Sequence, residues 1–332
     1  MITQILPVNE ASLEAARVII ARGGVVGMPT ETVYGLGANA FDTVAVESIF
    51  KIKGRPNDNP LIVHVHKDYD ITTLVKDIPD YAKALAKAYL PGPLTMVYKS
   101  LGTVSKAVSC GLDTLAIRIP SHEGAQRFLK YVNLPIAAPS ANISKHVSPT
   151  SAEHVYRDLN GKIELILDGG KCAGGIESTV LDCTGHIPII LRSGLITREM
   201  IAMVVGDCGE YVYKDGEKAL SPGLKYKHYS PTCKTKLFSS GDFNKAVAYC
   251  KNQITLGVKC AVMCDGAASE KIVGIPVLNL GATADEIAAN LYLKLREGED
   301  CYDEIVAIEP VMQDGVMVGV MNRLKKACAE VK

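Results

Sequence analysis

Short apolar runs recur through the first 192 residues, at 25–28, 61–65, 94–98, 115–119, 135–138, 164–168, 178–182 and 188–191. Each has the length of a buried strand, and helix-patterned stretches fall between several of them, near 11–22, 43–52, 79–89, 122–131 and 151–159. The first helix is expected to open at Ser12 and to stop at Gly23-Gly24. Such a pattern restricts the chain to an α/β architecture built on a large sheet. Runs 94–98, 115–119 and 135–138 are unevenly spaced and lack strict βαβ alternation, so a twisted mixed sheet is predicted over a doubly wound parallel one. Trp is absent and only 5 residues are Phe, so aliphatic side chains must fill the interior.

A chain of 332 residues exceeds one small core. We divide it into a first domain at 1–205, a linker at 206–232 and a C-terminal domain at 233–332. The linker lacks periodicity yet ends in Ser221-Pro222-Gly223-Leu224-Lys225-Tyr226-Lys227-His228-Tyr229-Ser230-Pro231, chemically too rich for a passive spacer. Beyond it, strands at 235–238, 259–264, 275–279 and 304–308 alternate with helices at 242–252, 284–296 and 317–328. That predicts a compact βα domain with a small parallel sheet.

Charge is balanced at 36 basic and 36 acidic side chains, and locally too: 20 and 19 over residues 1–205, 12 and 13 over 233–332. Neither part carries the excess of cations that a sequence-independent nucleic-acid binder uses to displace counterions, so direct RNA binding is expected to be weak. The 10 cysteines include no Cys-x-x-Cys pair and mostly sit among Ala, Val and Leu, as reduced core thiols of a cytoplasmic protein do. No basic-then-apolar leader opens the sequence, and no run reaches the roughly 20 apolar residues of a membrane span.

Several strands hand over to polar loops. The densest is Pro29-Thr30-Glu31-Thr32-Val33-Tyr34-Gly35-Leu36-Gly37, which matches neither common phosphate-loop pattern but gathers hydroxyls, a carboxylate and glycines at a strand end. Lys51, Lys53 and Arg55 follow, with Asn57-Asp58-Asn59 behind them; they form either a solvated basic helix end or an anion clamp. His64 and His66, two apart in the run 61–66, should share a strand face. No third ligand cluster accompanies them, so a hydrogen-bonding role for His64 is favoured over zinc. Arg118 alternates with aliphatics, so it lies on a solvated face or is committed to an anionic partner. Ser140 and Asn142 follow the strand at 135–138, Ser148 precedes a helix, Gly174-Gly175 leads to Ser178, and Arg192 closes the run at 188–191. Small hydroxyls at strand ends and helix starts suit phosphate oxygens.

In order, Pro29–Gly37, Lys53-Gly54-Arg55-Pro56, Asn59-Pro60-Leu61, Pro91-Gly92-Pro93-Leu94-Thr95, Arg118-Ile119-Pro120, Pro139-Ser140-Ala141-Asn142, Ser178-Thr179-Val180 and the linker motif resemble the threonylcarbamoyl-AMP synthases of the two-domain kind. Leu224 stands where that family commonly has Met. The resemblance implies a YrdC-like twisted mixed-sheet catalytic domain and a smaller Rossmann-like βα domain. It implies a nucleotidyltransferase that joins L-threonine, bicarbonate and ATP, with Mg²⁺, into threonylcarbamoyl-AMP and pyrophosphate. A tRNA threonylcarbamoyltransferase complex would then use the product to modify adenosine in tRNA. By the same resemblance Lys53, Arg55 and Arg118 are catalytic, and Thr30, His64, Arg118, Ala138 and Ser178 hold threonine. Lys53, Arg55, Asn57, Thr114, Ser140, Asn142, Ser148, Arg192 and Tyr226 hold ATP, with Tyr226 reaching from a lid-like linker. No dedicated metal cage is implied. A carbamoyltransferase of the hydrogenase-maturation type is an alternative, but its Cys-x-x-Cys modules are missing here. A non-catalytic RNA-binding module is another, and the neutral charge argues against it.

Overall fold

The computed structural model of the protein describes residues 1–212, 220 and 229–330, with the backbone alone at residues 329 and 330. Tyr226 and most of the linker motif lie outside the described residues. By contacts the chain forms two units. One comprises Met1–Ser144, Pro149–Ala173 and Glu177–Tyr226; the other comprises Lys145–Ser148, Gly174–Ile176 and Lys227–Lys332.

Twelve described strands make the sheet of the first unit. They are β1 (Gln4–Pro7), β2 (Val26–Met28), β3 (Gly35–Asn39), β4 (Ile62–His64), β5 (Val75–Lys76), β6 (Leu94–Ser100), β7 (Thr114–Arg118), β8 (Ile136–Ala138), β9 (Leu165–Asp168), β10 (Thr179–Asp182), β11 (Ile189–Arg192) and β12 (Gly209–Glu210). Their order is β1-β9-β2-β3-β8-β4-β7-β6-β10-β11-β12, with β5 also on β6. Parallel pairs such as β4/β7 and β6/β10 alternate with antiparallel ones such as β6/β7 and β3/β8, so the sheet is mixed, as the uneven spacing predicts. The strand β3 is an addition: the last third of the polar motif expected to be loop, Gly35–Gly37, opens a strand lying between β2 and β8.

Helices α1 (Glu10–Ala21), α2 (Thr43–Lys53), α3 (Asp80–Tyr89), α4 (Lys106–Ser109), α5 (Glu123–Val132), α6 (Ala152–Leu159) and α7 (Arg198–Val205) complete the unit. The first opens one turn earlier than expected. Asn9 is its N-cap and Ser12 its third residue, and the two side chains cap each other's backbone amides. Its apolar stripe of Leu13, Ala16, Ile19 and Ile20 packs with Phe128 and Leu129 of α5 and with Val26, Met28 and Leu165 of the sheet. A larger cluster, including Ile49 and Phe50 of α2, Val63, Tyr98, Ile117 and Val155, forms the main core.

In the second unit β13 (Lys234–Phe238), β14 (Cys260–Cys264), β15 (Val277–Asn279), β16 (Glu304–Ile308) and β17 (Ala329–Glu330) pair in the order β15-β14-β16-β13-β17, all parallel. Helices α8 (Phe243–Thr255), α9 (Gly266–Ser269), α10 (Ala284–Cys301) and α11 (Val316–Ala327) connect them. Among the described residues, no helix is long and apolar enough to cross a membrane.

Candidate functional site

Three neighbouring strands of the first unit end their chemistry at one place. Register pairs Arg118 of β7 with His64 of β4 on one side and with Thr95 of β6 on the other, so the three side chains share a sheet face. Thr95 Oγ1 lies 2.8 Å from Ser178 Oγ, at the entry to β10. Arg192, at the end of β11, donates from Nε and Nη2 to Ser178 O at 3.1 and 3.0 Å, and from Nη2 to Ser178 Oγ at 3.2 Å. The loop after β11 crosses closely here: a Cβ on Gly194 would sit 2.5 Å from Thr179 N. His64, Thr95, Arg118, Ser178 and Arg192 thus form one buried row. Ala138 ends β8 in register with Ile62 of β4 and is buried beside it.

The loop after β2 supplies the carboxylate. Arg118 Nη2 is 3.0 Å from Glu31 Oε1, with side chains only 4% and 14% exposed. Burial works to raise the Glu31 pKa, but the Arg118 charge and local backbone hydrogen bonds outweigh it and hold the carboxyl below its usual range. Burial, reinforced by the Arg118 charge, pushes His64 down to about 3, so its imidazole is neutral at physiological pH. Its Nδ1 lies 3.1 Å from Ile62 O. The Cys172 thiol nearby is pushed up to about 12 by burial, so it stays protonated and is no nucleophile.

The Thr30 hydroxyl is engaged within its own loop. It donates to Val33 O at 2.6 Å and accepts from the Thr32 and Val33 amides, each at 3.2 Å. That closes the turn of its own loop, with Thr32 Oγ1 2.9 Å away. Tyr34 anchors the loop from beneath, donating to Gly170 O at 2.7 Å and accepting from Gly169 N at 3.1 Å. Leu36 N to Pro139 O and Ala141 N to Tyr34 O, at 2.9 and 2.8 Å, stitch it to the loop after β8.

That second loop is held by Lys53. The last residue of α2, buried to 2% exposure, points its ammonium at Ser140 O and Asn142 O, with Asn142 Oδ1 3.4 Å away. Ser140 Oγ donates to Asn142 Oδ1 at 2.5 Å. Lys53, Ser140 and Asn142 are therefore brought together. Arg55 turns toward its own loop, donating to Asn59 O at 3.0 Å and lying over the Phe50 ring. Asn57 is exposed, 3.5 Å from Cys110 Sγ. Thr114 shares the Arg118 face but sits four residues upstream, about 13 Å along the strand. Ser148 falls in a segment grouped with the second unit, where Arg296, buried in α10, donates to Val147 O.

His66 corrects the expectation of a histidine pair. The strand ends at His64, and His66 lies beyond it with Nε2 3.1 Å from Asn133 Oδ1. A cavity of about 210 Å³, lined by Met96, Tyr98, Ile117 and Ile119 among others, lies on the opposite face of β6 and β7 from Thr95 and Arg118. The residues that sequence reasoning missed are Glu31, singled out only as part of its motif, and Thr95. Thr95 falls in the quoted Pro91–Thr95 motif, where alternation along β6 could have placed it on the Arg118 face.

Comparison with known proteins matches both units. The Sua5_yciO_yrdC model, described as telomere recombination, matches residues 18–194, and a model described as threonylcarbamoyl-AMP synthase, C-terminal domain, matches 196–329. A threonylcarbamoyl-AMP synthase of Pyrococcus abyssi is 42% identical over 327 residues, covering 96% of this chain and 95% of the relative. The chain belongs to the threonylcarbamoyl-AMP synthase family. A Bacillus subtilis family member is 39% identical, covering 98% and 95% of the two chains. The solved structure of P. abyssi Sua5 complexed with L-threonine superposes with a TM-score of 0.90 at 40% identity, over 100% of this chain and 99% of the other. E. coli YciO, 23% identical with a TM-score of 0.52 over 57% of this chain and 95% of its own, shares the fold of the first unit.

Proposed function

We propose that this family member is an L-threonylcarbamoyladenylate synthase, condensing L-threonine, bicarbonate and ATP to threonylcarbamoyl-AMP and pyrophosphate. The observation that carries the reading is similarity to curated synthases along nearly the whole chain, on a first unit that gathers Arg118, His64, Thr95 and Ser178. A relative bound to L-threonine supports threonine as the amino acid.

The chemistry asks for positioning and charge neutralisation, because an adenylyl transfer driven by a carbamate carboxylate needs no protein nucleophile. Arg118 presents a planar fork to the substrate carboxylate. Neutral His64 donates or accepts a hydrogen bond without adding a repelling charge. Ser178 and Thr95 offer hydroxyls to the amino-acid side chain. Lys53 braces the Ser140–Asn142 loop against the nucleotide, and Arg192 holds Ser178 while adding a cation for the phosphates. Arg55, Asn57, Thr114, Ser148 and Tyr226 complete the ATP contacts in this reading. Mg²⁺ bound to ATP would supply charge screening at the phosphate oxygens, beside the cations of Lys53, Arg55 and Arg192. The product is an activated acyl adenylate, so a tRNA threonylcarbamoyltransferase must consume it, in the cytoplasm.

The test is pyrophosphate release from ATP by the purified chain. Release that requires both threonine and bicarbonate is expected. Release independent of threonine, or none at all, would overturn the assignment, and tight RNA binding in its place would favour the module reading.

A further inference from the structure

We infer that Glu31 receives the α-ammonium group of the amino-acid substrate, so that Glu31 and Arg118 together form a receptor for a zwitterion. The inference rests on the proposed reading of this site as an amino-acid pocket, and it adds a residue to which that reading gives no role. Glu31 and Arg118 approach to 3.0 Å, both largely buried. They do so without an aligned hydrogen bond: Nε and Nη2 of Arg118 and both carboxylate oxygens of Glu31 lack a well-aligned partner, and the backbone amides of Glu31 and Ser121 approach the carboxylate only loosely. Two opposite charges are thus held out of water with hydrogen-bonding capacity still open on each.

The groups around the pair do not substitute for either charge. His64 is neutral, Cys172 is a protonated thiol, Thr95 and Ser178 are hydroxyls bonded to each other, and the cation of Arg192 is turned onto Ser178. An α-amino acid carries a carboxylate and an ammonium on one carbon. Entering between Glu31 and Arg118, it exchanges one poorly aligned ion pair for two aligned ones and leaves the net charge of the pocket unchanged. A ligand bearing only a carboxylate must displace Glu31 from Arg118 and leave a buried carboxylate uncompensated, which is costly. Glu31 therefore selects for the free amine, while Arg118 serves any carboxylate.

The experiment is calorimetric titration of the full-length protein with L-threonine and with 3-hydroxybutanoate, which is threonine without its amine. Wild type is expected to bind threonine at least about tenfold more tightly than 3-hydroxybutanoate, and Glu31→Gln to narrow that ratio to within about threefold. A merely structural role would weaken both ligands equally. Equal weakening, or a wild-type protein indifferent to the amine, overturns the inference. Should Glu31→Gln fail to fold, Glu31→Asp carries the same comparison, since its shorter reach should cost threonine affinity and spare 3-hydroxybutanoate. Failure of wild type to bind threonine at all would instead overturn the amino-acid reading of the site.

Discussion

Replacing Lys53 by Met keeps most of the aliphatic stem that α2 buries and removes only the ammonium. The carbonyls of Ser140 and Asn142 then lose that charged donor in a dry setting. A buried acceptor deprived of its bond costs about 1–3 kcal/mol, so two place the loss on the order of 3 kcal/mol. For a domain of this size each kcal/mol moves Tm by about 2–4 °C, which gives a fall of roughly 6–12 °C. The damage should be local in function. Threonine affinity, which the proposed pocket sets on the β4–β7–β6 face, should stay within about twofold, while the KM for ATP rises about tenfold or more as the 140–142 loop loses its brace. Calorimetric unfolding, titration with threonine and ATP kinetics test these numbers. Hydrogen exchange should quicken at Ala141 and Ser144, whose amides bond Tyr34 O and Lys53 O. An unchanged Tm with unchanged exchange there would refute the view that Lys53 organises this loop. A threonine affinity that falls in step with ATP would refute the separation of the two halves.

Arg118→Met should lower stability by about 3–5 kcal/mol, because it strands Glu31 in a buried position, and Glu31→Gln in the same chain should recover much of that loss but no synthesis. The Arg118→Met deficit should shrink on acidification: without the cation, burial raises the folded-state pKa of Glu31, so the cost is present above that pKa and vanishes below the unfolded value. Denaturant titrations from pH 4 to pH 8 read both effects, and a deficit that grows with acid would contradict the pairing. His64 should show flat ring resonances by NMR between pH 5 and 8, since burial and Arg118 bring it to about 3. Its folded pKa lies below the unfolded one, so its neutrality costs no stability above the unfolded value. Stability should drain as pH falls from there toward the folded pKa, and His64→Asn should blunt that loss.

Much of the fold was legible because the strands are short, aliphatic and bounded by Gly, Pro and Asn. The departures have local causes. Gly35–Asn39 has one large aliphatic and no β-branched residue, so nothing in its composition signals β3; its pairing with β2 and β8 imposes the strand. Helix α10 was expected to end at residue 296, short of Gly298. It runs to Cys301 because the missing side chain lets the helix close on the sheet, where a Cβ would meet Ile305 Cδ1 at 2.5 Å. At the site, alternation leaves Arg118 open between a solvated face and an anionic partner; the structure buries it beside His64 and against Glu31. Alternation could not tell which hydroxyl of Thr30 and Thr32 a turn consumes, nor that Glu31 would find a cation 87 residues away. Those depend on loop closure and on strands brought side by side from distant sequence.

All 10 cysteines are thiols outside any disulfide, and their exposure is graded: seven are buried, Cys110 and Cys233 are partly covered, and Cys301 alone is exposed. Burial pushes the Cys208 and Cys233 thiols up to about 11 and Cys264 up to about 12, which slows alkylation further. The chain therefore carries a built-in clock for its own opening. A thiol reagent should tag Cys301 at once and count the others only as each region breathes, so that added mass, located by peptide, tells opening within the first unit from opening within the second.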